Sequence, residues 1–363
     1  MEYLLILAAL GLAFSNGAND NFKGFATVWG SATLSYRQAL ILASVATVAG
    51  SLLSLYLAQG LAQQFSGKGL VPDAAVNAPQ FLMSVGAGAA ATVFIATRVG
   101  LPISTTHALI GGLIGAGLAQ SGGEVHFAKL ADSFLLPLLV SPFLAASLGW
   151  VAYRLLRLRS ADKDCACLTV PSNAMLSAVK GRATLMTVSA PSIVIAPAAQ
   201  CDALDTPIAR LSIPRFMDRV HTLSAGLICF ARGVNDTPKL AALLIAAHMF
   251  DIRFSVALIA VVMMAGGLLF SRHVAETMSR RMTRMDHTQG LAANLITATL
   301  VLFASKLGLP VSTTHVSVGS IAGVGAGAGT LDWSMLRNIL LSWVATLPLA
   351  ACLAWIAVKL AAG

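Results

Sequence analysis

Two short polar motifs, each present twice within apolar stretches of the chain, contain residue types that can bind ions. The first is an asparagine–aspartate pair near a glycine, at Asn19-Asp20 and again at Asn235-Asp236. A carboxylate at membrane depth is costly unless it is paired or lines a wet cavity, so it indicates a functional site. Side-chain oxygens and the carbonyls of an unwound helix suit a hard cation. The sequence therefore predicts a helix break at each pair and a Na⁺ site formed by Asn19, Asp20, Asn235 and Asp236.

A lysine follows each aspartate by three residues, which places the two side chains on one face of a helix. Two interpretations are open. Each lysine can form an internal ion pair with its own aspartate, or the two lysines together can attract a divalent anion and balance the two carboxylates. Because the arrangement occurs twice, we predict that Asp20, Asp236, Lys23 and Lys239 contact a bound substrate.

The second motif is Pro-x-Ser-Thr-Thr-His, at 102–107 and 310–315. Proline favours a helix start, and serine or threonine is a preferred N-cap. The free N–H groups and positive dipole end of such a helix form an anion site, to which hydroxyl groups add uncharged donors. His107 and His315 either titrate, donate to the substrate or have a structural role. We predict that two facing half-helix N-termini hold a tetrahedral oxyanion through Ser104, Thr105, Thr106, Ser312, Thr313 and Thr314.

The composition places these motifs in a membrane protein. Of 363 residues, 57% are hydrophobic and 11% are charged, and the mean hydropathy is +0.79. A soluble domain has roughly a quarter of its residues charged, so a soluble fold is excluded. The net charge of +9 does not indicate nucleic-acid binding, because the basic residues fall mostly in two short hydrophilic segments typical of cytoplasmic loops. The first apolar run, 3–14, lacks the features of a signal peptide.

The elements that must position the motifs are apolar helices. Four shorter pieces contain the motif copies, at 17–34, 104–119, 233–249 and 312–327. Because a membrane span needs about 20 residues, these pieces predict re-entrant or half helices. The glycines at 111, 115, 319 and 323 predict surfaces for close helix packing, and glycine-lined helices also suit a homodimer. Longer apolar stretches lie at about 3–14, 36–60, 80–98, 128–156, 220–231, 253–271, 289–306 and 333–361.

The two halves of the chain are repeats. The first motif recurs after 216 residues and the second after 208, and two motifs that recur in order indicate duplication. The loop at 61–79 contains one basic residue, whereas its counterpart at 272–288 contains four arginines. Basic loops stay in the cytoplasm, so the equivalent loops lie on opposite sides and the repeat is inverted. The basic segment 158–212 is then cytoplasmic, each half crosses an odd number of times, and both termini lie outside.

The predicted fold is an all-α polytopic membrane protein with two inverted-topology repeats, whose broken or re-entrant half helices meet at a midplane site. The first repeat is 1–157, the second is 213–363, and 158–212 is a cytoplasmic linker segment. In such folds the substrate site lies between the repeats. The arrangement predicts a secondary transporter of a small oxyanion.

The paired motifs resemble those of the PiT-type inorganic phosphate transporters. Each half of that family has a Gly-Ala-Asn-Asp signature and a later Pro-x-Ser-Thr-[Thr/Ser]-His signature, and the halves flank a large cytoplasmic loop. The resemblance covers essentially the whole chain apart from 158–212. It implies an inverted-repeat fold and cation-coupled phosphate uptake, in which the Asn-Asp pairs help to bind Na⁺ and the Ser-Thr-Thr hydroxyls bind phosphate.

This sequence departs from the family pattern at one position. The first signature commonly continues Val-Ala-Asn-Ala, whereas here it continues Asn21-Phe22-Lys23-Gly24. A lysine at the position of the usual asparagine can replace a bound cation electrostatically. Coupling to H⁺ is therefore the rival of coupling to Na⁺.

The predicted function is a symporter that moves inorganic phosphate across the cell (inner) membrane with Na⁺ or H⁺ by alternating access and has no other cofactor. The alternative is a sulfate or other oxyanion permease of the same fold. Phosphate at neutral pH can donate a proton to Asp20 or Asp236, whereas sulfate cannot, which favours phosphate. The near-identical motif pairs argue against an enzyme, and the paired carboxylates argue against a passive anion channel. The expected partners are phosphate, the coupling cation, the lipid bilayer and a second copy of the chain.

Overall fold

The chain folds into two compact units, one formed by residues 1–154 with 221–363 and the other by 155–220. The structure is a computed structural model. It describes residues 1–72, 76, 78–120, 125–157, 165–169, 192–196, 207–246 and 250–362. The predicted linker 158–212 therefore lies mostly outside the described residues, and three short strands are its described part.

Helices make up nearly all of the larger unit. The first half contains α1 (Glu2–Asp20), α2 (Ala26–Gly30), α3 (Tyr36–Leu57), α4 (Gln59–Gln64), α5 (Pro79–Val99), α6 (Thr105–Gln120), α7 (Phe127–Leu130) and α8 (Leu136–Arg157). The second half contains α9 (Ile213–Ala246), α10 (Ile252–Phe270), α11 (Arg272–Glu276), α12 (His287–Lys306), α13 (Thr313–Ala328) and α14 (Trp333–Ala362). The predicted helical fold is confirmed.

The larger unit has the surface of an integral membrane protein. Among the described residues, six helical stretches are long and apolar enough to span a bilayer: 36–57, 79–99, 127–155, 252–270, 287–306 and 333–361. Large apolar side chains point outward, including Leu139, Val344 and Leu360, the last with 78% of its surface exposed. In water such a surface would be an aggregation hazard, whereas in a bilayer it faces lipid.

Of the four pieces predicted as half helices, 104–119 and 312–327 have the predicted length. The prediction is wrong for 17–34 and 233–249, because each begins inside a longer helix, α1 or α9. α6 and α13 each contain 16 residues, too few to cross a bilayer comfortably. Each follows a longer helix, α5 or α12, through a short non-helical segment that contains the proline of the motif. Each repeat therefore contributes one such pair, consisting of a spanning helix followed by a half helix.

The predicted helix break at the second Asn-Asp pair is wrong. α9 runs without interruption through Asn235, Asp236 and Pro238. In the first copy α1 continues to Asp20, and the break comes after the pair, where the 3₁₀ turn Lys23–Phe25 precedes α2. Neither Asn-Asp pair therefore lies on unwound backbone, and the predicted use of free backbone carbonyls at the pairs does not apply.

The glycines before the Asn-Asp pairs serve close helix packing, which explains why the chain does not unwind there. A Cβ at Gly17 of α1 would lie 1.9 Å from the carbonyl oxygen of Met263 in α10. A Cβ at Gly233 of α9 would lie 2.3 Å from that of Thr47 in α3. The first long helix of each repeat therefore crosses a helix of the other repeat. We call these two contacts the crossing seams.

The facing helices complete each crossing seam with a glycine of their own. A Cβ at Gly50 of α3 would lie 2.0 Å from the carbonyl oxygen of Phe230, and one at Gly266 of α10 would lie 2.0 Å from that of Phe14. Gly50 and Gly266 are 216 residues apart, as are the Asn-Asp pairs. Both crossing seams thus have the same construction.

The glycines of the half helices also pack within the chain, as predicted. Gly111 and Gly115 of α6 lie against backbone of α14, and Gly319 and Gly323 of α13 lie against backbone of α8. Small residues permit this close approach of helix backbones. Because these surfaces are covered within one chain, they give no support to a homodimer, which stays a prediction.

The smaller unit contains a three-stranded antiparallel sheet that was not predicted from the sequence. Its strands are β1 (Cys165–Thr169), β2 (Ser192–Ala196) and β3 (Pro207–Ser212), in the order β2-β1-β3. Cys165 of β1 pairs with Ala196 of β2 and with Ser212 of β3. The strands are short and far apart in sequence, so no hairpin pattern identifies them.

Candidate functional site

The site is built around the N-termini of the two half helices. The Ser104 hydroxyl accepts a hydrogen bond from the backbone N–H of His107 at 3.1 Å, and the Ser312 hydroxyl accepts one from that of His315 at 3.2 Å. Both serines are buried. The predicted caps are therefore confirmed in both copies. The serine oxygens stabilise the first helical turns, and the threonines that follow are available for other contacts.

The ammonium group of Lys23 lies among four oxygen atoms. Its Nζ donates to Asn19 Oδ1 at 2.9 Å, to the Ile103 carbonyl at 3.0 Å and to Thr314 Oγ1 at 2.6 Å. It also forms an ion pair with Asp20 Oδ1. The lysine thus joins the end of α1 to the N-terminal ends of the half helices of both repeats. The predicted internal ion pair is present.

Lys239 makes the repeat-related contacts with fewer partners. Its Nζ donates to the Val311 carbonyl at 2.7 Å and to Thr106 Oγ1 at 3.1 Å, and it lies 3.8 Å from Asp236 Oδ1. Each lysine therefore contacts a carbonyl of its own repeat and a threonine hydroxyl of the other repeat. Both ammonium groups are buried.

The two asparagines of the Asn-Asp pairs fix the non-helical segments before the half helices. Asn19 donates to Thr97 Oγ1 at 2.9 Å and to the Leu101 carbonyl at 3.0 Å, and it accepts from the Ile103 N–H at 3.2 Å. These contacts position the backbone that leads to Ser104. Asn19 is therefore already fully engaged with protein atoms.

Asn235 has the equivalent role in the second repeat. Its amide donates to the Val311 carbonyl at 3.3 Å and to Asp236 Oδ1 at 2.9 Å, and its oxygen accepts from Ser305 Oγ at 3.1 Å. Ser305 and Thr97 are separated by 208 residues, the spacing of the second motif. In both repeats, therefore, the asparagine is bound to a hydroxyl group of the spanning helix and to the backbone of the segment before the half helix.

Asn16 connects the carboxylates of the two repeats. Its amide group lies 3.0 Å from Asp20 Oδ2, 3.3 Å from Asp236 Oδ2 and 3.0 Å from Thr105 Oγ1. Thr105 also donates to Asp20 Oδ2 at 3.3 Å. The two aspartates predicted from separate motif copies are thus brought to one place. Two nearby carboxylates need positive charge or hydrogen-bond donors around them, which the lysines, Asn16 and Thr105 supply.

Arg232 occupies in the second repeat the position that Asn16 occupies in the first, 216 residues earlier. It is among the largest fully buried side chains, with 1% of its surface exposed. Its Nη1 donates to Asn16 Oδ1 at 3.5 Å, whereas Nε and Nη2 have no hydrogen-bond partner among the described residues. The site therefore contains three basic side chains and two carboxylates.

Asn16 and Arg232 belong to the site but were not predicted from the sequence. Each lies four residues before an aspartate that was identified, and therefore on the same helical face. Placing an arginine within an apolar membrane helix costs as much free energy as placing an aspartate there. The residue type of Arg232 alone therefore indicates a functional position. Because the repeats differ at this position, the recurring motifs do not point to it.

The side chains of this cluster close around a narrow cleft that is too tight to admit a water molecule. The predicted residues Asp20, Asp236, Lys23 and Lys239 meet here with three of the predicted threonines. Thr313 is buried at the start of α13 but makes no hydrogen bond to the cluster within the described residues. The cleft itself is lined by Asn16, Thr105, Thr106, Leu109, Asp236, Lys239 and Leu240.

The two histidines lie in a different cavity. The His107 and His315 rings are in edge-to-face contact, with centroids 4.5 Å apart, and His315 stacks on Trp343 at 3.9 Å. They line a cavity of about 860 Å³ whose other walls are mostly apolar side chains of α8, α13 and α14. Of the roles left open for these histidines, the ring packing favours the structural one.

Comparison with known proteins identifies the family. The chain matches the phosphate transporter family over residues 16–354. The chloroplastic inorganic phosphate transporter 2-1 of Arabidopsis thaliana is 28% identical over 99% of this chain and 73% of its own length. A Pyrococcus abyssi protein, provisionally named a phosphate permease, is 27% identical over 98% of this chain and 97% of its own.

A solved structure gives the same fold. The sodium-dependent phosphate transporter of that structure superposes with a TM-score of 0.77 and 24% identity, and 99% of each chain is covered. It confirms the predicted inverted-repeat membrane fold. The family consists of transporters and not of enzymes, as predicted. A match that spans nearly the whole chain, both motif pairs included, shows that this protein is a member of the phosphate transporter family.

Proposed function

We propose that the chain is a cation-coupled symporter of inorganic phosphate that works by alternating access in the cell membrane, with the central segment 158–212 in the cytoplasm. The observation that carries this proposal is the meeting of both half-helix N-termini with charged groups from both repeats in one buried cluster. Helix N-termini and hydroxyl groups bind oxyanions, and lysines add attraction for them. Thr105, Thr106 and Thr314 supply the hydroxyl groups.

Phosphate fits this cluster better than sulfate does. At neutral pH phosphate retains a proton, which it can donate to a carboxylate such as Asp20 or Asp236. Sulfate has no proton to donate, so it would face the same carboxylates with repulsion only. A sulfate or other oxyanion permease remains the alternative substrate assignment, and competition between the two ions decides between them.

Alternating access requires contacts that form and break between the repeats. The contacts of Lys23 with Thr314 and of Lys239 with Thr106 join residues of different repeats across the site. Opening the site to one side of the membrane requires these contacts to separate while the phosphate remains bound. In inverted-repeat transporters such opening is largely a rocking of one repeat against the other around the site.

The coupling ion is Na⁺ or H⁺. The proposed Na⁺ ligands are the side-chain oxygens of Asn19, Asp20, Asn235 and Asp236. A proton would instead bind a carboxylate of the same cluster. In either case the positive charge enters together with the phosphate, which lowers the cost of burying the anion.

The test is uptake of radiolabelled phosphate into proteoliposomes under an imposed Na⁺ gradient and, separately, an imposed H⁺ gradient. We expect accumulation that excess unlabelled sulfate does not suppress and that Asp20→Asn abolishes. Asp251→Asn is the matched control, because Asp251 is an exposed N-cap and asparagine caps equally well. Sulfate accumulation without phosphate uptake would overturn the phosphate assignment.

A further inference from the structure

The oxygen atoms around Lys23 form the ligand set that a hard metal cation would use. The four are an amide oxygen of Asn19, a carboxylate oxygen of Asp20, the Ile103 carbonyl and the Thr314 hydroxyl. Hard cations are held by such carboxylate, carbonyl and hydroxyl oxygens. Here the Lys23 ammonium occupies the centre of the set.

The Asn19 and Asp20 side chains also accept hydrogen bonds from other protein groups. Asn19 Oδ1 additionally accepts from the Ile103 N–H. Asp20 Oδ2 accepts from Asn16 and Thr105. A sodium ion placed on Asn19 and Asp20 would have to displace the ammonium group or lie beside it, where the two positive charges repel. The residues present therefore do not fit Na⁺ at this position.

The second repeat has a related arrangement. Lys239 Nζ lies near the Val311 carbonyl, the Thr106 hydroxyl and a carboxylate oxygen of Asp236. Both sets contain a carbonyl, a hydroxyl and a carboxylate oxygen with the two repeats exchanged, and only the Lys23 set also contains an amide oxygen, that of Asn19. Both Asn-Asp pairs, which suggest Na⁺ from sequence, therefore have a lysine of their own in contact with their oxygens.

We propose that Lys23 and Lys239 are fixed counter-cations that take the place of sodium, so that this chain transports phosphate without Na⁺. The inference rests on the proposed function and narrows its coupling ion. Arg232 supports it independently. Its buried guanidinium group has two nitrogens without a hydrogen-bond partner among the described residues, so the site has positive charge beyond that of the two lysines. An anion can be bound there without an added metal ion.

The first test uses the unmodified chain in proteoliposomes, with phosphate uptake driven by an H⁺ gradient. Sodium is replaced by choline on both sides of the membrane. We expect the same initial rate with and without Na⁺. Uptake that occurs only with Na⁺ overturns the inference and leaves the symporter proposal standing. No phosphate uptake with either cation overturns the proposed function itself.

The second test removes the ammonium groups one at a time. Lys23→Ala empties the four-oxygen set, and we expect loss of uptake in choline and partial recovery in Na⁺. The purified variant should also show a rise in melting temperature on Na⁺ addition that the unmodified chain does not show. Lys359→Ala is the control, because Lys359 is an exposed lysine at the end of α14.

Two results of this second test contradict the inference. One is a melting-temperature rise with Na⁺ in the unmodified chain that choline does not reproduce. The other is a Lys23→Ala variant that transports in choline as the unmodified chain does. If Lys23→Ala does not fold, the same uptake and melting-temperature measurements are made on Lys239→Ala. The sodium dependence of uptake by the unmodified chain then tests the inference without any variant.

Discussion

The two repeats share their backbone packing and differ in the charged cluster that this packing encloses. The crossing seams have glycines at equivalent positions, Gly17 with Gly233 and Gly50 with Gly266. Both half helices begin with a serine cap. In the cluster, by contrast, Lys23 contacts four oxygens closely, whereas Lys239 has two hydrogen bonds and a longer ion pair.

This difference shows which part of a duplicated fold is free to change. A backbone contact without room for a Cβ atom favours glycine, and both crossing seams have glycine there. A buried polar cluster has to satisfy hydrogen bonds and charge as a whole, and different side chains can do so. Asn16 and Arg232 occupy equivalent positions, but the first contributes a neutral amide and the second a charged guanidinium group. The site is therefore asymmetric within a nearly symmetric backbone.

The largest effect is expected from removing each lysine charge. Lys23→Met leaves the Asp20 carboxylate buried without its cation, and breaking a buried pair in this way costs about 3–5 kcal/mol. Lys239→Met should cost less, about 1–3 kcal/mol, because its ion pair is longer and its hydrogen bonds are fewer. Thermal unfolding of the purified variants in detergent measures the difference.

The exposed Lys359 again provides the control, as Lys359→Met. Equal destabilisation by Lys23→Met and Lys239→Met would show that the two repeats hold their lysines equally firmly. The contrast between the repeats would then be confined to Asn16 and Arg232.

A smaller effect is expected at Arg232, the side chain that breaks the symmetry. Arg232→Asn reproduces the residue of the first repeat and removes a buried cation next to the site. A hydrogen bond to a charged group contributes about 1.5–3 kcal/mol, so KM for phosphate should rise by about ten- to a hundredfold. Arg232→Lys should restore part of the affinity, because the charge returns without the planar geometry.

Uptake kinetics separate this role from a structural one. If Arg232 attracts the anion, KM rises while the maximal rate per folded transporter and the melting temperature change little. If Arg232 only fills space, Arg232→Lys and Arg232→Asn should lower the melting temperature in proportion and leave KM unchanged.

Local chemistry made much of this arrangement predictable from sequence. The serine caps, the half helices and the inverted repeat follow from short motifs, segment lengths and loop charge, because each depends on neighbouring residues or on the membrane itself. The meeting of Asp20, Asp236, Lys23 and Lys239 followed from the duplication. Their assignment to phosphate or Na⁺ remains a proposal.

The parts that sequence did not predict depend on contacts between distant segments. The glycine before Asn235 indicated a break, but whether a glycine unwinds a helix or allows another helix to approach depends on the partner, here Thr47 of α3. Arg232 is a single polar residue in an apolar stretch, without a recurring pattern. The strands β1, β2 and β3 pair over long sequence distances, which no local signal encodes.

The smallest of the three effects concerns the shared feature, the crossing seams. Gly17→Ala and Gly233→Ala place a methyl group 1.9 Å and 2.3 Å from backbone carbonyl oxygens, so the paired helices must separate. Overpacking of this kind costs about 1–3 kcal/mol. If the crossing seams are equivalent, the two variants should lower the melting temperature by similar amounts, in contrast to the unequal lysine variants.

Gly226→Ala is the matched control, since Gly226 lies in α9 and a Cβ there would have no atom within 4 Å. Alanine in a helix interior is favoured over glycine by about 1 kcal/mol, so this variant should be neutral or slightly more stable. Destabilisation by Gly17→Ala alone would mean that the second crossing seam can relax. The symmetry of the backbone would then be weaker than the glycine spacing indicates. Lys239, which has fewer contacts than Lys23, would lie in the repeat whose helices separate more easily.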